Sequence, residues 1–167
     1  AGIMVALVAG YAYRDELTTV AYRVAGELLP PGQTVVLEPN AEGGERAVRI
    51  RRRPDGHFIA RAEINGVRAE MLVDTGASTV VLKPADAERI GLDTKHLSFT
   101  VPVQTANGTT YAASVKLRAI AVGPIRVRDV EALIAKPGTL KDSLLGISFL
   151  RRLRSYEFSG DFLTLRS

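Results

Sequence analysis

Asp74, Thr75 and Gly76 stand in the middle of an apolar run, EMLVDTGASTVVL from Glu70 to Leu82. An ionised carboxylate taken out of water is expensive, so an acid in this setting neutralises, pairs or takes part in chemistry. Gly76 lets the backbone turn sharply and lets another segment come close. Thr75 and Ser78, the latter preceded by Ala77, offer short hydroxyls that can bond across a tight interface or to the carboxylate. Together these residue types hold an acid rigidly, as general acid–base work on a water molecule requires. The plainer use of Asp-x-Gly is a strand-end aspartate capping a turn, and the tripeptide alone does not separate the two.

The flanking elements decide how such an acid is presented. From Ala47 onward the apolar residues alternate with a period of two, the pattern of half-buried strands. AVRIRRR, HFIARAEI and VRAEMLV are separated by Pro54-Asp55-Gly56 and by Asn65-Gly66. Asn-Gly between alternating runs is a strong hairpin signal. Beyond the motif, KPADAERIG predicts a short helix with Pro84 in its first turn and Gly91 as its stop. FTVPVQTANGTTYAASVKLRAIAV predicts two strands around Asn107-Gly108, and IRVRDVEALIA predicts another. SLLGISFLRRL reads as a short apolar helix or turn, and SYEFSGDFLTLRS as a closing hairpin turning at Ser159-Gly160. Short strands with regular turn signals and only short helices predict an all-β barrel over residues 46–167. The small polar tip of the central hairpin (Thr105, Ala106, Asn107, Gly108, Thr109) suits a mobile lid, and equally an ordinary exposed turn.

Residues 1–45 have a different character. The first thirteen, AGIMVALVAGYAY, carry no charge, but a membrane-spanning helix needs about 20 apolar residues. The chain opens at Ala1 and not at Met, which suggests an upstream portion; a truncated membrane anchor, the core of a signal sequence and a short buried helix compete as readings. Tyr11 and Tyr13 followed by Arg14-Asp15-Glu16 resemble the edge of a membrane span and favour the anchor. Residues 14–29 place Leu17, Val20, Ala21, Val24, Ala25 and Leu28 at helical spacing. Pro30-Pro31-Gly32 ends that helix, a short strand TVVLEP follows, and NAEGGE reads as a flexible joint at residues 40–45.

Composition removes several chemistries. Without cysteine there is no disulfide, thiolate metal site or cysteine nucleophile. His57 and His96 lie far apart without flanking ligand spacing, so no metal site is expected. The 22 basic residues face 18 acidic ones, for a net charge of +4. The clusters Arg51-Arg52-Arg53 and Arg151-Arg152 lack the interleaved aromatics of a nucleic-acid surface, and solvated strand and helix faces explain them better.

In this context the chain resembles the retropepsin-like aspartic proteases, in particular their membrane-anchored bacterial branch. LVDTGAS at Leu72–Ser78, the KPADAERIGL helix, the TANGTTY hairpin and LLGISFL at Leu144–Leu150 occur in the family's order, across residues 47–165. The resemblance implies an acid-protease barrel in which Asp74 is catalytic and Thr75, Gly76, Ala77 and Ser78 support its loop. The hairpin at residues 105–109 would be the flap. Leu144, Leu145 and Gly146 would thread beneath the catalytic loop, with Gly146 permitting two segments to pass closely. Tyr111 is expected over the cleft or outward on its strand, and Ile147 and Phe149 in the core.

Aspartic proteases hydrolyse peptides with two carboxylates that share one proton and hold a water, and they need no cofactor. This chain has one Asp-Thr-Gly: Asp55-Gly56 lacks the threonine, and Asp93-Thr94 runs into Lys95. The resemblance therefore implies a C2 homodimer with Asp74 of each chain on the axis, acting on polypeptides at acidic to mildly acidic pH. It also implies attachment to the bacterial inner membrane with the protease domain in the periplasm. Two departures from retroviral members stand out. An extension replaces their N-terminal interface strand, and Ile147 follows Gly146, where that branch carries an arginine. The alternative to an endopeptidase is a catalytically weak retropepsin-fold module for dimerisation or peptide binding.

Overall fold

The computed structural model describes the backbone of residues 34–37 and all of residues 46–167. The apolar opening, the helix expected over 14–29 and the joint at 40–45 lie outside the described residues. Among the described residues no helix is long and apolar enough to cross a membrane.

Alternation produces the expected strands. In IARAEI the buried Ala60, Ala62 and Ile64 share one face and the exposed Arg61 and Glu63 the other, as the alternation of a pleated strand requires; Ile59, on the second face, is buried at the strand's start. The elements run β1 (Thr34–Leu37), β2 (Ala47–Arg51), β3 (Ile59–Ile64), β4 (Val67–Val73), β5 (Val80–Leu82), α1 (Pro84–Ile90), β6 (Phe99–Thr105) and β7 (Gly108–Val122). They continue with β8 (Ile125–Ile134), β9 (Ser143–Leu145), α2 (Ile147–Leu150), β10 (Ser155–Ser159) and β11 (Phe162–Arg166).

The larger sheet has the order β3-β4-β9-β5-β8-β7-β6, and a further pairing of β3 with β7 closes it into a barrel-like ring from which β6 extends. The fifteen-residue β7 makes this possible: its first half pairs with β6 and its last residues, Ile120–Val122, pair with β3. A smaller sheet, β1-β2-β11-β10, gathers both ends of the described chain, with β1 and β10 at its edges. One continuous core fills the interior, with Phe149, Met71, Ile64, Leu117, Ile120 and Leu145 among its fully buried side chains.

Turn chemistry sets the register. Asn65 (φ 50°) and Gly66 (φ 83°) form the tight β3–β4 turn that their residue types predict. Asn65 then reaches further: its Oδ1 accepts the backbone N–H groups of Arg118 (2.9 Å) and Ala119 (3.2 Å), fastening the turn to β7. The β6–β7 turn differs by one residue from the sequence expectation. Thr105 pairs with Gly108, so Ala106-Asn107 occupy the turn and Gly108 (φ 109°) opens β7. Ala106 and Asn107 keep negative φ, the geometry of a type I turn followed by a positive-φ glycine. The Thr105 hydroxyl stabilises it by donating to Gly108 O (2.8 Å) and accepting from Asn107 N–H (3.2 Å). The last hairpin also turns one residue later than expected, at Gly160-Asp161, because Ser159 pairs with Phe162.

Candidate active site

Asp74 follows directly on β4, and its placement depends on β9. The three residues of β9 run parallel to β4, with Leu144 opposite Leu72 and Leu145 opposite Val73, and meet β5 antiparallel at Val81. This short strand therefore threads between the strands that enter and leave the acidic loop. Asp74 N–H donates to Leu145 O (3.2 Å) and Val73 N–H to Phe58 O (2.9 Å), which fixes the backbone on both sides of the acid. Within the loop, Ala77 N–H donates to Asp74 O (3.2 Å) and Gly76 N–H to the Asp74 carboxylate at Oδ1 (2.8 Å). A backbone amide aimed at a carboxylate orients it while adding no side-chain freedom.

Gly146 is required by a close approach. A Cβ there would lie 2.7 Å from Ala77 O and would overlap Thr79 O, both backbone atoms of the acidic loop and its exit. The same proximity lets Ile147 N–H donate to Ala77 O (2.8 Å). Gly76 is constrained differently: a Cβ would stand 3.1 Å from Asp74 Oδ1 and crowd the carboxylate itself.

Two buried serines carry the support outward. Ser143 Oγ accepts Lys83 N–H (3.0 Å) and donates to Asp86 Oδ2 (2.6 Å). Asp86 also pairs with Arg89 (2.8 Å), and that arginine donates to the Arg68 carbonyl on β4. Ser148 Oγ accepts Val80 N–H (2.8 Å) and donates to Glu131 O (2.7 Å). These bonds hold β9, α1 and α2 in fixed relation to β4 and β5. Asp86, Ser143 and Ser148 were not legible as site supports. The only sequence signal is an acid and small hydroxyls at positions that pattern as core.

A cleft of about 990 Å³ opens above the acidic loop. Asp74, Gly76, Ala77 and Ser78 lie on its floor with Leu144, and the β6–β7 hairpin forms a wall through Val101–Thr105, Thr110 and Tyr111. Thr105 thus faces the cleft, while Ala106, Asn107, Gly108 and Thr109 project past the lining as the hairpin tip. Thr75 is exposed outside the lining, and Leu145 is fully buried beneath it. Tyr111 lines the cleft with 46% of its surface exposed. Phe149 is core, and Ile147 packs against the core. Among the described residues neither Thr75 nor Ser78 bonds to the Asp74 carboxylate, whose partner is the Gly76 amide. Asp74 itself is half-buried in the single chain.

A rigidly held acid on a glycine loop, a short strand threaded beneath it and a hairpin-walled cleft above it make up the candidate site. Comparison with known proteins agrees. The family model described as gag-polyprotein putative aspartyl protease matches residues 60–152. An uncharacterized protein from the cobV 5' region of Sinorhizobium sp is 42% identical over 164 residues, covering 98% of this chain and 69% of its own. An uncharacterized protein of Rickettsia prowazekii (strain Madrid E) is 34% identical over 163 residues, covering 98% and 67%. Among solved structures, a retropepsin-like aspartic protease from Rickettsia conorii superposes with a TM-score of 0.67 at 31% identity, over 83% of this chain and 96% of that one. The EIAV protease complexed with the inhibitor HBY-793 shares the fold, with a TM-score of 0.52 at 19% identity over 74% and 100%. The chain belongs to the retropepsin-like gag-polyprotein aspartyl protease family.

Proposed function

We propose that the protein is an aspartic endopeptidase whose active form is a homodimer, with Asp74 of each chain forming one catalytic pair. The observation that carries this reading is the Asp74 loop: an oriented carboxylate, a glycine where a side chain would crowd it, and a cleft large enough for an extended peptide. One such loop is half of the chemistry, and retropepsin-like enzymes complete theirs with a second copy. Thr75, exposed beside Asp74, suits a bond across that interface.

In the reaction one ionised Asp74 takes a proton from the bound water as its oxygen attacks the scissile carbonyl carbon. The protonated Asp74 of the other chain hydrogen-bonds to the carbonyl oxygen and donates its proton there. The resulting diol collapses: the C–N bond breaks, the protonated carboxyl of the pair gives its proton to the departing nitrogen, one diol hydroxyl returns its proton to the ionised carboxylate, and a free acid and a free amine result. One water is consumed and the pair returns to its starting state. Sharing one proton between two carboxylates gives a bell-shaped pH dependence, with activity expected on the acidic side of neutrality. The β6–β7 hairpin acts as the flap, its tip closing over bound peptide and excluding water.

The N-terminal segment that precedes β1 acts as a tether holding the protease domain on the periplasmic face of the bacterial inner membrane, and self-cleavage releases it. The supporting observation is the uncharged stretch of residues 1–13. Identical fragment patterns from the wild type and from Asp74→Asn would exclude self-processing, and full recovery of the intact protein in the soluble fraction would exclude the tether.

The catalytic reading is tested by cleavage of a diverse peptide library from about pH 3 to pH 8, with wild type and Asp74→Asn side by side. Cleavage by wild type alone is the expected result. Silence from a wild-type protein shown to be dimeric would favour a peptide-binding module instead.

A further inference from the structure

Four charged side chains line the cleft: Asp74, Lys116, Glu131 and Lys136. Lys116 and Glu131 stand directly opposite each other in the β7–β8 ladder, where opposite charges on facing positions are mutually favourable. Asp74 is the acid of the site. Lys136 is placed differently. Its Nζ lies 5.9 Å from the ring centroid of Phe99 on β6 and 6.0 Å from that of Tyr111 on β7, at the outer limit of cation–π contact. Aromatic faces accept none of the three ammonium N–H donors in the ordinary way, and Lys136 forms no ion pair among the described residues.

The backbone at Lys136 is also fixed more firmly than a loop lysine needs. Lys136-Pro137-Gly138-Thr139 forms a turn with Gly138 at φ 81°, the type II pattern of Pro followed by a positive-φ glycine. Both the amide (3.3 Å) and the hydroxyl (2.7 Å) of Thr139 donate to Lys136 O. Just before it, Ala135 N–H donates to Leu82 O (2.9 Å), tying the turn to β5 and so to the exit of the acidic loop. The backbone of Lys136 is thereby fixed beside the cleft, and its exposed ammonium stands near the hairpin rings with its hydrogen-bonding capacity unspent.

We propose that Lys136 is a specificity-determining residue that recognises an acidic side chain, Asp or Glu, at one fixed position of the polypeptide substrate. This rests on the reading of the cleft as a protease site. The Phe99 and Tyr111 rings shield the ammonium from part of the solvent and position it, and the substrate carboxylate accepts its N–H groups. Because Phe99 and Tyr111 both belong to the flap hairpin, the same cation links substrate recognition to the placement of that hairpin.

The test is a positional peptide set in which Glu, Gln or Lys replaces each residue of a common extended sequence. Both cleavage and equilibrium binding are read for wild type and for Lys136→Met, Lys136→Arg and Lys136→Glu. In wild type, Glu is preferred over Gln at a single position by about fivefold, the upper range for an ion pair with exposed partners. Lys136→Met brings that ratio to about one, Lys136→Arg keeps it, and Lys136→Glu transfers the preference to the Lys peptide. A preference spread evenly over all positions reflects only the net charge of +4 and overturns the assignment. So does a Lys136→Met variant that slows all peptides alike, since that marks a structural latch. If no peptide is cleaved, the protease reading fails, and binding decides this proposal separately: equal affinity for Glu and Gln peptides at every position overturns it.

Discussion

The catalysis proposed for Asp74 needs close placement of its carboxylate, and the residues around it leave little slack. A methyl group at position 76 would sit 3.1 Å from the carboxylate oxygen, close enough to displace it. Gly76→Ala is therefore expected to lower kcat, by less than the roughly 10²-fold of a 1 Å misplacement because a small shift of the carboxylate relieves the contact, with KM changed less; steady-state kinetics on any cleaved peptide checks this. Asp74→Asn removes the base and is expected to abolish turnover with the fold intact. Gly146→Ala has a different consequence, because its Cβ meets backbone that cannot rotate away. It is expected to cost about 3 kcal/mol or more of stability, the upper end of overpacking, seen as an early denaturant midpoint. An acid and a glycine inside an apolar run drew attention to Asp74 and Gly76, but the tripeptide alone fits a turn cap equally, and only the resemblance singled out Gly146. The Gly76 amide as the carboxylate's partner was not legible, because backbone donors carry no residue signature.

Among the elements, local chemistry explains what sequence patterning recovered and what it missed. Asn65-Gly66 turned where expected because both residues accept positive φ. Asn107-Gly108 did not, because the Thr105 hydroxyl stabilises a different turn in which only Gly108 needs positive φ. The Pro84–Ile90 helix was legible from its proline start and glycine stop. Strand β9 was not, since three residues are too few to show a period; only the resemblance placed Leu144-Leu145-Gly146 under the loop. The supports of β9 yield a test. Removing the Ser143 hydroxyl takes a hydrogen bond from the buried Asp86 carboxylate and from Lys83 N–H. Ser143→Ala is expected to cost about 1–3 kcal/mol, as for a buried polar group left short of a partner. Urea unfolding monitored alongside activity separates this loss from a catalytic one, with kcat little affected while the protein stays folded.

For the molecule as a whole, the proposed two-carboxylate site needs a second chain, and the smaller sheet of the described chain leaves β10 as an open edge. Tyr156 and Phe158 are exposed on that edge, and Phe158 meets Phe58 edge-on at 5.3 Å, next to the strand end that carries Asp74. This edge is the surface that the proposed dimer would cover. Phe158→Asp is accordingly expected to weaken the dimer by tenfold or more, on the order of 1.4 kcal/mol, as read by sedimentation across a dilution series. Which strands interleave was not legible in the sequence, because dimer pairing depends on a surface that two chains create together.

The most direct measurement is activity after wild type is mixed and exchanged with a ninefold excess of Asp74→Asn. If one site takes an Asp74 from each chain, nearly all wild-type chains enter mixed dimers. Activity per wild-type chain then falls by about tenfold, as random pairing in a C2 dimer requires. Activity that stays proportional to the wild-type protein present, under conditions where subunit exchange is demonstrated, would contradict the shared catalytic pair.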